Sequence, residues 1–280
     1  MKTQKEIVES ELFNTGWRKN EDKVWTKITQ LNTEKISWPI NAYQENAHSE
    51  NFWSKARVDL ISKNLDSLRI NQLLEVGSGH GNVSIPLTKK GFELITLEPM
   101  LDGAKQTALA GITTINGSLK SIEGCLLTFA GIGIFDVLEH IENPKDFLIS
   151  LKQKLNTGGI LILTVPAHNW LFSDFDKSIG HYKRYTKKIL RAEMKQAGYQ
   201  EIASRYFFIS LVLPAFLFRR LPYILGRNKN FTGEKGWKQS IVKSTKLNSF
   251  TDLVLYKLLK IDSMFNPPMG LSLLGIYKKD

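Results

Sequence analysis

Residues 73–82 read LLEVGSGHGN, and this stretch decides the fold. Leu73, Leu74 and Val76 form a short apolar run. Gly77, Gly79 and Gly81 follow at alternate positions, and a helical pattern begins near Ser84. Glycines there permit positive φ and let a ligand approach backbone where a side chain would collide. Strand, glycine turn and helix in that order put the turn in the crevice where open α/β sheets take nucleoside-type ligands. The next apolar run, ELITL at 93–97, ends in Glu98, from which a carboxylate can accept both hydroxyl protons of a ribose. A dinucleotide fingerprint spaces its third glycine one residue later. Here that glycine comes early and Glu75 precedes the loop, which disfavours a nicotinamide dinucleotide.

Further apolar runs follow on both sides: ITTI (112–115), IGIFDV (132–137) and ILILTV (160–165), with helical spacing between most of them, around 84–90 and 144–155. Strands alternating with helices predict a parallel sheet covered on both faces, and continuous rather than alternating apolar runs fit that burial. Upstream, the spacing from Glu50 to Ser67 predicts a helix with Ser49 as its N-cap. Trp53 and Arg57, four apart, share one face of it. Downstream, a helix closes on Gly198, and a strand is expected over 201–209. GLSLLGIY at 270–277 reads as a closing strand. Between them, over 213–268, the α/β rhythm is lost; Ser249 followed by Asp252 is a capping signature, with Lys257 and Lys260 near that helix's end. The chain thus divides into a helical extension at 1–48 and one domain at 49–280, with 213–268 a helical, basic and apolar insertion before the last strand.

Net charge is +11 over 280 residues, and its placement is uneven: Arg219 to Lys260 carries ten Lys or Arg against Glu234 and Asp252. A basic segment beside an apolar one suits a membrane surface or an acidic substrate; its bland counterpart is a solvated helical face. The single Cys125 excludes an internal disulfide and a cysteine-rich metal site. MKTQKEIVESELF lacks an apolar signal core, so a cytoplasmic location is expected. No apolar run reaches the length of a spanning helix.

E-V-G-x-G-x-G resembles the first motif of class I S-adenosylmethionine-dependent methyltransferases, and the resemblance extends from about Phe52 to Lys279. It includes FDVLEHIENP (135–144), LKQKLNTGGILILTVPAH (151–168) and IGHYKRYTKKILRAEMKQAGY (179–199); the last is similar to a bacterial subgroup with G-H-x-x-R-Y-T. The resemblance implies a Rossmann-like seven-stranded mixed sheet flanked by helices, ordered 3-2-1-4-5-7-6 from the strand before the glycine loop, with the last strand antiparallel. It implies S-adenosylmethionine as cofactor, with S-adenosylhomocysteine as product. Glu75, Gly77, Ser78, Gly79, Gly81 and Asn82 would border the methionine part, and Glu98 with Pro99 would hold the ribose. Phe135 and Asp136 would lie beside the sulfonium, and the helix bearing Trp53 and Arg57 would cover the cofactor, core packing being the other reading of Trp53. Where the family often has an acid for the adenine amine, NGSLKS places Ser118.

Methyl transfer from a sulfonium is an in-line displacement, so the protein mainly positions the acceptor, with a base only if the acceptor must lose a proton. His140 and His181 are the catalytic candidates. A neutral His140 titrating near physiological pH would deprotonate a hydroxyl; alternatively it shapes its loop. Tyr182, Arg184 and Tyr185 either bind an acidic substrate group or pack a lid with Arg184 paired to Asp174 or Asp176. His140, His168 and His181 lack metal-ligand spacing, so no metal is expected. NPPM at 266–269 does not follow the strand that a nucleobase amino-methyltransferase motif requires, and it reads as a turn.

Aromatic and basic sequence in the insertion points to an acceptor that is lipid-linked or presented at the inner membrane face, with contact through residues 206–260 and a peripheral location. The alternatives are a soluble small-molecule or glycan methyltransferase, in which this region caps the site or forms a homodimer contact, and a non-catalytic cofactor-binding module. No nucleic-acid recognition motif is found, and no nucleic-acid partner is expected.

Overall fold

The structure, a computed structural model, describes residues 3–27, 51–226 and 249–280. Its elements run α1 (Gln4–Asn14), β1 (Trp17–Lys19), β2 (Trp25–Lys27), α2 (Phe52–Ser67), β3 (Gln72–Val76), α3 (Ser84–Lys89), β4 (Glu93–Glu98), α4 (Leu101–Leu109), β5 (Thr113–Asn116), β6 (Phe129–Phe135), α5 (Pro144–Gln153), β7 (Leu155–Pro166), α6 (Asp174–Ser178), α7 (Lys187–Gln196), β8 (Tyr199–Phe207), α8 (Val212–Ala215), α9 (Leu221–Ile224), α10 (Ser249–Asp262) and β9 (Ser272–Lys279).

They build one mixed sheet in the order β1-β2-β5-β4-β3-β6-β7-β9-β8. From β5 onward this is the expected order, with β9 antiparallel to both its neighbours. The sheet has nine strands rather than seven, because β1 and β2 extend it past β5, where Trp25 is in register with Ile115. The extension at 1–48 is therefore not purely helical in its described part: α1 is followed by a small antiparallel ribbon. Trp17 is fully buried, as are Val8 and Leu12 on the inner side of α1. Edge strands left open invite pairing with other chains; here the ribbon covers β5 and its two tryptophans seal the end of the core.

Alternation along the central strands sorts side chains onto two faces. Leu74, Val76, Ile132, Ile134, Leu161 and Leu163 pack with α1, α5 and α7. Leu73, Ile162, Leu274 and Ile276 face the other way, against α2, α3 and Leu259 of α10. Both faces being dry explains the uninterrupted apolar runs. At the N-terminus of α2 the cap is Asn51, whose side chain accepts from the Ser54 amide at 2.9 Å; Ser49, the expected cap, lies outside the described residues. Asp252 reaches the same helix end: its carboxylate accepts from the Phe52 amide at 2.8 Å. That contact joins the C-terminal insertion to α2. Of the insertion, residues 227–248 lie outside the described ones. The carboxyl ends of β3, β4, β6 and β7 all open on the same edge, where the loops that follow them meet.

Candidate active site

Gly77, Gly79 and Gly81 all have positive φ, as the turn after β3 requires. At Gly81 the demand is double: φ is +83°, and a Cβ would stand 2.7 Å from Ile85 Cδ1 and 2.8 Å from Thr107 Cγ2. A second close approach comes from α4, where a Cβ on Gly103 would lie 2.6 Å from the Gly79 carbonyl oxygen. Sequence reasoning missed Gly103, because nothing local marks a helical glycine as the seat of a distant loop.

Glu98, at the end of β4, braces this loop. One carboxylate oxygen accepts from the Gly79 amide at 2.6 Å and the other from the Met100 amide at 2.8 Å. Each oxygen keeps a second lone pair for a ligand hydroxyl. Burial pushes the Glu98 carboxyl up to about 7, against the pull of those two amides. Pro99 beside it is half-buried, and its carbonyl accepts from the Asn116 side chain at 3.0 Å. Ser118 is half-buried just beyond β5, where its carbonyl accepts from the Ser121 hydroxyl at 2.6 Å.

Glu75 lies on β3, and burial pushes its carboxyl up to about 8, while Ser84 and Arg57 oppose the rise and Glu98 adds to it. Glu75 Oε2, Ser78 Oγ, Ser84 Oγ and Arg57 Nε are all buried without a hydrogen-bond partner. Buried polar atoms are normally satisfied, so four orphans on and around one glycine turn mark a place built for a polar ligand. An amino acid joined to a nucleoside fits that set: hydroxyl acceptors at Glu98, donors and acceptors at Glu75, Ser78 and Arg57, and a bare backbone between. Asn82, by contrast, is exposed.

At the end of β6, Asp136 has φ +57°. Its carboxylate accepts from Thr164 Oγ1 at 3.0 Å and is ion-paired with Arg57. Arg57 in turn stacks over Trp53, 4.2 Å from the ring centroid. The face of α2 that carries Trp53 and Arg57 is thereby fixed against the strand end. Phe135 is buried in the core with Ala56 and Ile162, and Asp136 after it is half-buried.

The loop at 179–186 is stitched over this edge. The Tyr182 amide donates to the Glu139 carbonyl at 2.9 Å, and the Tyr185 amide donates to the Pro166 carbonyl at 2.8 Å. His140 and His181 meet edge to face, centroids 4.6 Å apart. Burial, reinforced by the neighbouring His181, pushes His140 down to about 3. This corrects the expectation of a near-physiological pKa: the imidazole is neutral and a weak base. Arg184 is 4% exposed and donates to Asp176 at 2.8 Å, so it is an internal pair and not an open cation for an acidic substrate. Tyr185 is buried too, its hydroxyl donating to the Leu138 carbonyl at 3.3 Å. Tyr182 alone of the three is exposed.

Comparison with known proteins agrees with this architecture. A family model described as a methyltransferase domain matches residues 43–204. The ubiquinone biosynthesis O-methyltransferase of Schizosaccharomyces pombe is 34% identical over 109 residues, 36% of this chain and 39% of that protein. Its namesake from Rickettsia typhi is 22% identical over 138 residues, 41% of this chain and 56% of the relative. The chain thus spans roughly two fifths to just over half of these relatives. Among solved structures, a SAM-dependent methyltransferase from Thermotoga maritima aligns with TM-score 0.51 at 15% identity, covering 84% of this chain and 92% of the other. Coclaurine N-methyltransferase aligns with TM-score 0.51 at 14% identity, covering 81% and 72%. Fold, glycine turn and family match converge: the chain belongs to the methyltransferase domain family, as a class I enzyme whose cofactor is S-adenosylmethionine.

Proposed function

We propose that this enzyme methylates a hydroxyl of a lipid-linked acceptor at a membrane surface. The observation that carries the reading is an exposed apolar face on the two described parts of the insertion. Leu213, Phe218, Ile224 and Leu225 are exposed on the segment from α8 to α9; Phe250, Leu253, Val254 and Ile261 are exposed on α10, with Met264 and Phe265 just after it. Apolar patches of that kind on a soluble fold mark an interaction surface. Exposed Lys257 and Lys260 stand among them, which suits anionic headgroups. No helix among the described residues is long and apolar enough to cross a membrane, so an interfacial contact is the form this reading takes.

The same segment is tied to the loop over the active site. Trp170 packs on Phe216 with centroids 6.1 Å apart, Arg219 stacks over Phe175 at 4.2 Å, and Lys177 donates to the Tyr223 hydroxyl at 3.0 Å. That loop leads directly to His181. An acceptor held by its tail at the surface would therefore enter beside Tyr182 and the His140–His181 pair. Oxygen is the acceptor atom proposed because the curated relatives are named as O-methyltransferases of ubiquinone biosynthesis.

When bound, S-adenosylmethionine supplies an electrophilic methyl group on a sulfonium. Glu98 and Glu75 would hold its ribose and methionine ends, with Ser78 and the glycine turn between. Asp136, fixed by Arg57 and Thr164, would set the floor on which the acceptor is aligned. Such alignment is where a displacement of this kind gains most of its rate.

Vesicle flotation tests the membrane part. Phosphatidylcholine vesicles containing phosphatidylglycerol should carry the protein, less so as salt rises, and phosphatidylcholine alone should carry less. Phe218→Ser with Phe250→Ser should abolish flotation while S-adenosylhomocysteine still binds. Failure to float with either vesicle would overturn the reading.

A further inference from the structure

Between α8 and α9 the chain makes one turn of π-helix, Phe216–Arg220, closed by the Leu221 amide donating to the Phe216 carbonyl. Such turns take one extra residue into a helix and are frequent at functional sites. This one brings two consecutive arginines against the segment that leads to His181. Arg219 stacks over Phe175 at 4.2 Å from the ring centroid. Arg220 Nη1 donates to the Phe172 carbonyl at 2.5 Å, and its guanidinium lies 5.1 Å from the centroid of Tyr223. Lys177 of α6 stands 5.0 Å from the same centroid.

The acids nearby are already engaged. Asp176 is paired with Arg184 and His181, and Asp174 is the acid beside Lys177. Among the described residues Arg219 makes no hydrogen bond or ion pair, and Arg220 makes no ion pair. Arg219 is half-buried. Burial draws its pKa below the ordinary arginine value; Arg184 adds to the fall and Asp176 opposes it. A cation moved out of water without a counterion is unfavourable, and here two adjacent guanidiniums lack one. Stacking occupies the face of a guanidinium and leaves its in-plane donors for a ligand. Arg184, the arginine expected to meet an acidic substrate group, is held by Asp176; the insertion supplies a different one.

We propose that Arg219, with Arg220 and Lys177 beside it, binds a phosphate group. A guanidinium fork takes phosphate oxygens in pairs, and adjacent guanidiniums suit a doubly charged anion better than a single carboxylate. The site lies between the exposed apolar residues Phe218, Ile224 and Leu225 and the loop that carries His181. An acceptor would therefore sit with its tail outward, its phosphate at Arg219 and its hydroxyl near the His140–His181 pair. That acceptor role rests on the tailed acceptor proposed above; the phosphate site itself does not.

Calorimetric titration of the full chain with inorganic phosphate tests the site without acceptor or membrane. One equivalent should bind, and sulfate should compete. Arg219→Gln should weaken binding at least about tenfold. Arg219→Lys should recover part of it, because the charge remains and the fork is lost. Lys257→Gln combined with Lys260→Gln, on α10, should leave it unchanged. Binding of S-adenosylhomocysteine by each variant verifies that it is folded. No phosphate uptake by wild-type protein that binds S-adenosylhomocysteine, or unchanged uptake by folded Arg219→Gln, would overturn the site. Vesicles containing phosphatidylglycerol separate the two sources of phosphate: Arg219→Gln should still float, and its failure to float would assign Arg219 to a lipid headgroup and overturn the acceptor role. Phosphate uptake without flotation of the wild type would sustain the site while sinking the membrane reading, and flotation without uptake would do the reverse.

Discussion

Arg57 and Asp136 join the helix that covers the site to the strand end that floors it. The guanidinium is buried under Trp53, and the carboxylate it meets sits on a left-handed residue also held by Thr164. Removing one member of such a pair strands the other charge. Arg57→Met is expected to cost roughly 3 kcal/mol in denaturant unfolding. Arg57→Lys should restore only part of that, because an ammonium loses the planar stacking on Trp53. Equal stability of wild type and Arg57→Met would remove the pair from the account.

Gly103→Ala offers a test of the loop's seat. Its Cβ would collide with the Gly79 carbonyl, and backbone yields less readily than a side-chain tip. Affinity for S-adenosylhomocysteine, read by calorimetry, should fall at least about tenfold, a loss near 1.4 kcal/mol. Gly124→Ala, where a Cβ meets nothing within 4 Å and φ is not in the left-handed region, should leave affinity unchanged and isolate the collision from general damage.

Glu75 and Glu98 set a pH dependence whose two halves run in opposite directions. Their folded carboxyls are raised to about 8 and 7 from an ordinary 4.5, so between those limits the folded chain holds protons the unfolded chain has released. Stability of the apo protein should therefore fall as pH rises from 4.5 toward 8. Affinity for S-adenosylhomocysteine should rise across the same window, by about tenfold from pH 6 to 8, because the ionised Glu98 is the better acceptor of ribose hydroxyls. Glu98→Gln should flatten the affinity profile. A flat wild-type profile would contradict the role given to Glu98.

Much of this was legible in the sequence because its signals are local. Apolar runs and the glycine spacing at 77, 79 and 81 specify the parallel sheet and its crevice, and the i, i+4 spacing of Trp53 and Arg57 places them together. What escaped is non-local. β1 and β2 are three residues long, too short for any period to show, and only the burial of Trp17 and Trp25 against β5 makes them strands. Asp252 marked the start of its own helix and gave no sign that its carboxylate also accepts from the first amide of α2. For Arg184 the sequence left open a substrate cation or a pair with Asp174 or Asp176, and only the fold selects Asp176. Nothing local in the sequence marks Glu139, and its burial with neither carboxylate oxygen hydrogen-bonded emerges only in three dimensions.

The central claim is methyl transfer to a tailed hydroxyl acceptor, and label transfer tests it most directly. Anionic vesicles carrying a phenol with a long apolar tail would be incubated with enzyme and methyl-labelled S-adenosylmethionine, beside the same phenol without its tail. The account predicts label in the lipid phase as a methyl ether, kcat/KM at least about tenfold higher for the tailed acceptor, and loss of transfer in Glu98→Gln. Equal rates with both acceptors, or no transfer to either by protein that binds S-adenosylhomocysteine, would contradict it.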